Sequence, residues 1–302
     1  MENLSLNLSN ELAKLAQSAS ASVVAVDAGG RTPSSGVHWR AGVIVTAAHS
    51  IRREEEIEIS LPDGKTTGAK FAGRDPGSDL AALRIEAANL PAALIGPSDS
   101  LQVGHLALVV GRSPNSGPNA SLGIVSAVSG PWRTWRGGRL DQYIRLDAMM
   151  FPNSSGGAVV DGGGNVVGIA SSALSRVAGL AIPASTVNRT LDVLLEKGRV
   201  PRGFLGVGLQ TIPLPEAVRT KLKLSNPSAV IILSVEPGGA ADKAGALVGD
   251  ILVSLGATTV EDVRDVYALL DPGSVGKQLP AQIIRAGAAH TLTLKVEERP
   301  ER

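Results

Sequence analysis

The sequence predicts a mainly β protein built as two successive domains, a larger barrel or sandwich followed by a smaller unit. Three observations carry that prediction. Short Val/Ile-rich runs alternate with Gly, Pro, Asn and Ser turns through most of the first two-thirds of the chain. The 302 residues include 35 glycines and only eight aromatics (three Trp, two Tyr, three Phe), a turn-rich composition with a Val/Ile/Leu/Ala core. That length exceeds one ordinary small core, and 43% hydrophobic residues suffice for more than one.

Taken in order, Leu4 to Ser18 reads as a short amphipathic helix with Leu8, Leu12 and Leu15 on one side. The pattern then turns to strands: "SVVAVDAG", "AGVIVTAAHS", "IEISLPDG", "DLAALRIE", "HLALVVG", "LGIVSAVSG", "QYIRLDA", "GGAVVDGGGNVVGIASS" and "AGLAIP". Within the eighth run, "DGGGNVVG" is a hairpin turn. "PASTVNRTLDVLLEKG" closes this domain as a helix, with Ser185 as its cap and Gly198 just past its end. "KGRVPRG", Lys197 to Gly203, is basic and carries Gly and Pro, so it reads as a linker. Beyond it, "FLGVGLQ", "AVIILSV", "DILVSLG", "PAQIIRA" and "HTLTLKVE" are strand-like. "TTVEDVRDVYALLDPG" is a helix with Val260, Val263, Val266, Tyr267 and Leu270 at helical spacing, ended by Pro272 and Gly273. The expected organisation is an N-terminal helical segment over 1–19, a first domain over 20–196, a linker over 197–203 and a second domain over 204–298.

Several function classes are excluded by composition. Basic and acidic residues number 29 and 28, a net of +1, which calls for neither nucleic acid nor an anionic membrane. "GPWRTWRGGRL" interleaves Trp132 and Trp135 with Arg133, Arg136 and Arg139. Without a basic surplus elsewhere it reads as an exposed loop, not a base-stacking platform. With no cysteine, neither a disulfide framework nor a thiolate metal site can form. There is no HExxH and no clustered His/Asp set, and "DPGSVGKQ" lacks the spacing and the final hydroxyl of a P-loop, so no metal or cofactor is expected. No window is apolar over the roughly 18 residues a bilayer span needs. The N-terminus lacks a basic region and an unbroken apolar stretch. The expected compartment is therefore the cytoplasm, or the periplasm if a leader has been removed.

A hydroxyl nucleophile needs a base to take its proton, a third group to orient the base, and donors for the developing oxyanion. The chain offers His49 at the end of "VIVTAAHS", Asp79 opening "DLAALRI", and the serines of "MMFPNSSGGAVVD". In chain order this is His, Asp, Ser, the order of the double-barrel serine proteases. "TAAH", "DLAAL", "SSGGAVVD", "GNVVGIASS" and "GLAIP", in this order and spacing, resemble the trypsin-like peptidases of the HtrA/DegP type over about residues 20 to 300. The resemblance implies a chymotrypsin-like double six-stranded β-barrel followed by a PDZ domain. It also implies Ser155 as nucleophile, directly before Gly-Gly, with His49 as base and Asp79 as its orienting carboxylate, and Ser154 as a hydrogen-bonding turn residue. The backbone N–H groups of Asn153 and Ser155 are the implied oxyanion hole. Glycine is the family's residue at 153, and asparagine is the non-glycine residue that best tolerates the positive φ expected there. Met149, Met150 and Phe151, facing Ile169, Ala170, Ser171 and Leu180, are the expected specificity pocket. With no Asp positioned to read a basic side chain, cleavage after small to medium aliphatic residues is expected.

"RGFLGVGLQ", "EPGGAADKAGALVGDILVSLG" and the helix after them resemble a bacterial protease PDZ domain. Phe204, Leu205, Gly206 and Val207 can aim backbone N–H groups at a C-terminal carboxylate, with Val263 and Val266 on the facing helix wall. The expected partners are unfolded or damaged polypeptides and peptide C-termini. The family assembles as trimers through N-terminal aromatics, but no aromatic precedes Trp39, so any homo-oligomer would use other contacts such as the leucines of the first helix. Two functions follow: an active serine endopeptidase with a tethering or regulating PDZ domain, or a weakly hydrolysing chaperone that binds peptides and is limited by Asn153.

Overall fold

The structure, a computed structural model, describes residues 3–86 and 89–299; Met1 and Glu2, at the start of the expected N-terminal segment, lie outside the described residues. Two compact units divide the chain, Met1–Val200 and Pro201–Arg302, so the division falls inside the stretch read as a linker.

The first unit opens with helix α1 (Leu4–Ser20). Strands β1 (Val23–Asp27), β2 (Ser34–Arg40), β3 (Val43–Ala47), β4 (Ile57–Ser60), β5 (Thr66–Asp75) and β6 (Leu80–Ile85) close a barrel in the order β1-β2-β3-β6-β5-β4. Next come β7 (Leu106–Ser113) and β8 (Gly117–Ser129), and a small hairpin of β9 (Trp132–Arg133) and β10 (Arg139–Leu140). With β11 (Tyr143–Asp147), β12 (Ala158–Asp161), β13 (Val166–Ser171) and β14 (Gly179–Pro183), β7 and β8 close a second six-stranded barrel. Helix α2 (Ala184–Lys197) ends the unit.

Strand alternation builds three apolar layers from these elements. Val24, Val26, Ile44, Ile59 and Leu83 fill the first barrel. Val109, Val125, Ile144, Leu146 and Val159 fill the second. Their sequence neighbours, including Val23, Val45, Ala82, Leu108, Val110 and Ala158, form one continuous cluster with Ile169, Leu180 and Val187. That shared layer fixes one barrel against the other, and burial of each large side chain in it contributes roughly 1.5–3 kcal/mol.

Three details differ from the sequence reading. Leu12 and Leu15 pack on the shared layer, but Leu8 is exposed, because only the last turns of α1 reach the barrels. α2 begins at Ala184 after Pro183 and has no side-chain cap, so Ser185 lies inside the helix. Gly198 does end it, in the left-handed region at φ 73°.

In the second unit, β15 (Gly203–Phe204) leads into β16 (Val207–Pro213), α3 (Glu216–Leu222), β17 (Ser228–Val235) and α4 (Ala240–Lys243). There follow β18 (Ile251–Leu255), β19 (Thr258–Thr259), α5 (Val263–Leu269), β20 (Gln278–Arg285), β21 (Ala288–Lys295) and β22 (Glu297–Glu298). The main sheet runs β16-β17-β18-β20-β21, which leaves β16 at an edge, while β22 pairs with β15. α5 starts later than the apolar spacing suggested, because Asp262 and Asp265 form a capping box that fixes its first turn. Val260 is buried just outside the helix. Asp250 is buried and accepts from Arg285 Nε and Nη2, both at 2.7 Å, and from the Leu247 N–H at 2.8 Å. Burial pushes its carboxyl up, but those hydrogen bonds and the arginine charge outweigh burial and hold it below the ordinary carboxylate range.

Candidate active site

Strand pairing brings the first two site residues together. β3 and β6 are antiparallel neighbours with Ala47 opposite Leu80, so the residues just past Ala47 meet the residue just before Leu80. The Ala48 N–H donates to Asp79 O at 3.0 Å, and His49 follows in a single 3₁₀ turn. Asp79 has a φ of 60°, a left-handed conformation that aspartate tolerates better than most residues. That turn aims its carboxylate back at the histidine. Oδ1 accepts the His49 backbone N–H at 2.9 Å, and Nδ1 lies 2.8 Å from Oδ2 and 3.0 Å from Oδ1. Ser171 Oγ donates to Oδ2 at 2.6 Å. The Asp79 side chain is 2% exposed and that of His49 27%. A buried carboxylate of this kind fixes the proton on Nδ1 and leaves Nε2 as the free acceptor, the state a general base requires.

The loop beneath Asp79 is braced twice. Asp75 accepts from the Gly77 N–H at 3.0 Å, the Ser78 N–H at 3.0 Å and Ser78 Oγ at 2.7 Å. Thr134 Oγ1, in the turn between β9 and β10, donates to Gly77 O at 2.8 Å. Gly138 sits so close to Gly77 that a Cβ there would fall 2.1 Å from its carbonyl carbon. The tryptophan–arginine hairpin thus supports the Asp79 loop, while Trp135 at its tip is exposed with Arg136 stacked on it.

Ser155 belongs to the second barrel, in the turn leading to β12. Gly156, at φ 84°, donates its N–H to Ala170 O at 2.8 Å, and a Cβ there would strike Ser35 O. Ser35 in β2 anchors the turn from the other barrel. Its N–H donates to Ser155 O at 3.1 Å and its Oγ donates to Asn153 O at 2.6 Å, while Arg112 N–H donates to that Oγ at 2.9 Å. Arg112 is itself buried and donates to Val23 O at 2.6 Å and Ser20 O at 2.9 Å; burial lowers its guanidinium pKa.

Two features of this turn depart from expectation. Ser154 N–H donates to Phe151 O at 2.9 Å, closing a turn with Pro152 and Asn153 at its centre. Asn153 is not among the positive-φ residues, so the turn is type I; the expected left-handed torsion belongs to type II, with the Pro152–Asn153 peptide flipped. Ser154 is fully buried and bonds within the turn through its backbone alone, for its Oγ has no hydrogen-bond partner among the described residues.

Ser155, the expected nucleophile, is also oriented unexpectedly. Ser155 Oγ lies 2.8 Å from Ser172 Oγ and accepts from the Ser172 N–H at 3.3 Å. No hydrogen bond joins it to His49 among the described residues. Of the expected pocket residues, Met149 and Phe151 are exposed. Met150 packs on Gly179. Ile169 and Leu180 are buried in the layer shared by the barrels and Ala170 inside the second barrel, because alternation turns their side chains into packing; this corrects their placement as pocket walls. Ser171 is likewise buried and serves Asp79. Ser35, Arg112 and Ser172 were missed; the doubled hydroxyls of "PSSG" and "IASS" were the available signal for two of them.

In the second unit a cleft of about 690 Å³ is lined by Phe204, Gly206, Val207, Gly208, Ser234, Val235, Glu236 and Arg299. Leu205 and Val266 are buried in that unit's core, so neither side chain faces a groove, and Val263 is half-buried against the same core. The free edge of β16 runs beside α5, where Val263 N–H donates to Thr211 Oγ1 at 3.3 Å.

Comparison with known proteins places this geometry among relatives. A trypsin-like peptidase domain matches residues 34–169 and a PDZ domain residues 231–285. The probable periplasmic serine endoprotease DegP-like of Chlamydia trachomatis is 31% identical over 274 residues, covering 86% of this chain and 52% of that protein. Its counterpart in Halomonas elongata is 29% identical over 265 residues, covering 86% and 55%. The chain thus spans about half the length of these relatives. Among solved structures, the HtrA-type protease AlgW with decapeptide superposes with a TM-score of 0.77 at 27% identity, covering 96% of this chain and 99% of that one. A serine endoprotease from Yersinia pestis gives 0.75 at 27% identity, covering 95% and 98%.

Proposed function

The chain belongs to the HtrA/DegP type of trypsin-like proteases and carries a PDZ domain, and on that premise we propose that it is a serine endopeptidase for unfolded or damaged polypeptides. One observation supports this above the rest: His49, oriented by a buried and fully bonded Asp79, stands on the first barrel as a base with a free Nε2. Ser155 Oγ attacks the peptide carbonyl as its proton passes to His49 Nε2. The tetrahedral adduct collapses to an ester on Ser155 as His49 returns the proton to the leaving amine. Water, giving a proton to His49, then attacks the ester, and the adduct expels Ser155 Oγ as His49 returns that proton to it, releasing the acid. The N–H groups of Asn153 and Ser155 would hold the oxyanion once the Pro152–Asn153 peptide turns to the type II sense. Met149, Met150 and Phe151 favour small to medium aliphatic residues before the scissile bond. The β16 edge and the Phe204–Val207 loop capture peptide C-termini by strand addition.

The type I turn favours a second reading, a peptide-binding protein with weak hydrolysis. Among the described residues no helix is long and apolar enough to cross a membrane. The periplasmic relatives support an exported compartment in place of the cytoplasm suggested by the N-terminus. Incubation with unfolded casein and a fluorophosphonate probe tests the enzyme reading. Wild type and Ser154→Ala should label and cleave, and Ser155→Ala should do neither. An unlabelled, inactive wild type would leave the peptide-binding reading.

A further inference from the structure

The hydrogen bond between Ser155 and Ser172 has no place in the peptidase chemistry just described. Both partners of Ser155 Oγ come from one residue, the Ser172 hydroxyl at 2.8 Å and the Ser172 N–H at 3.3 Å. A serine hydroxyl has one proton to give and two lone pairs. If Ser172 O–H is the donor, the two contacts occupy both lone pairs, and none is free for the carbonyl carbon. If Ser155 O–H is the donor, its proton points at Ser172 and away from His49 Nε2. The two proton arrangements share one consequence, for each competes with attack.

The surroundings make the contact specific. Ser172 follows directly on Ser171, whose own Oγ is committed to Asp79 at 2.6 Å. Adjacent hydroxyls at the end of β13 therefore reach the two halves of the site, one holding the carboxylate and the other the nucleophile. Alanine at 172 would leave Ser171 in place and remove only the hydroxyl bond to Ser155, keeping the weaker 3.3 Å bond from the backbone N–H.

We infer that Ser172 is a positioning residue that holds the Ser155 hydroxyl in a resting orientation, so that each acylation must first break the Ser155–Ser172 hydrogen bond. The inference rests on the peptidase reading. A hydroxyl pair of this kind opposes reaction by about two- to tenfold, the rate equivalent of a net hydrogen bond between neutral groups.

The test uses the full chain, a small fluorophosphonate probe and unfolded casein. Ser172→Ala should raise the second-order labelling constant about two- to tenfold. The same gain should appear in kcat on casein with KM unmoved, since the contact touches Ser155 and not the substrate. Ser172→Thr, which restores a hydroxyl, should return labelling toward the wild-type constant. Thermal unfolding checks each fold, and Ser172→Gly replaces alanine if that variant does not fold. A wild type that labels while the alanine or glycine variant labels no faster overturns the inference and leaves the peptidase reading standing. If neither wild type nor variant labels, the peptidase reading fails and the inference falls with it. Labelling of Ser172→Ala beside a silent wild type supports both.

Discussion

His49 and Asp79 stand on the first barrel and Ser155 on the second, and the two halves of the site are held in different ways. The first half is committed: the Asp79 carboxylate accepts from the His49 N–H, His49 Nδ1 and Ser171 Oγ, and its loop rests on Asp75 and on the β9–β10 turn. The second half is anchored at its carbonyls, Asn153 O and Ser155 O, while its reacting groups are not held in a reactive arrangement. Its N–H at Asn153 depends on the sense of one turn, and its hydroxyl is bonded to Ser172. Charge explains the contrast. A buried carboxylate short of donors is strongly destabilising, so its surroundings must be complete in every state. A neutral hydroxyl and a solvated turn tolerate alternatives. The part of the site that can change state is therefore the part that carries no charge.

Variants on either side can break or sharpen that contrast. The largest effect belongs to Ser155→Ala, which should lower casein hydrolysis roughly 10⁴-fold or more while leaving the fold intact by circular dichroism. Asp79→Asn should lower kcat by roughly 10³- to 10⁴-fold, because the amide cannot hold the Nδ1–H tautomer. A loss below about tenfold would show that the committed half is less constrained than its hydrogen bonds imply. Ser171→Ala removes one charge-assisted bond and should reduce kcat about tenfold, with KM unchanged. Asn153→Gly probes the adaptable half. Glycine removes the roughly 1 kcal/mol penalty on a left-handed residue, so casein turnover should rise up to about fivefold. An unchanged rate would mean that the turn sense does not limit the wild type.

Elements that follow from local pattern were legible in the sequence. Short apolar runs gave all six strands of the second barrel and β1, β3, β4 and β6 of the first, and the Gly198 stop gave the end of α2; β2 and β5, richer in Ser, Thr, Gly and charged residues, carried no such run. Motif order brought forward His49 and Asp79, which the Ala47–Leu80 pairing then places in contact. What stayed hidden depends on which side of a strand meets which layer, or on where a hydroxyl points. Ile169 and Leu180 carry the right apolar character for a pocket, yet the register of β13 with β14 turns both into the shared core. Val266 has the right helical phase for a groove, but α5 turns it into the core of its unit. Ser171 and Ser172 are identical in type and adjacent, and only tertiary contacts separate one that holds a carboxylate from one that bonds to Ser155.

Arg112 links the end of α1 to the turn that carries Ser155. Its guanidinium is buried and bonded to two carbonyls, one of them Ser20 O at the end of α1, while its backbone N–H supports the serine that pins Asn153 O. The N-terminal helix, exposed over its first turns, has the look of an appendage that could be trimmed for convenience. Shortening the chain past Ser20 would withdraw one acceptor from a cation that has left water, and the arginine would have to move to find another. Because the same residue carries Ser35, a deletion at the far end of the unit would be felt as slack in the loop that presents Ser155.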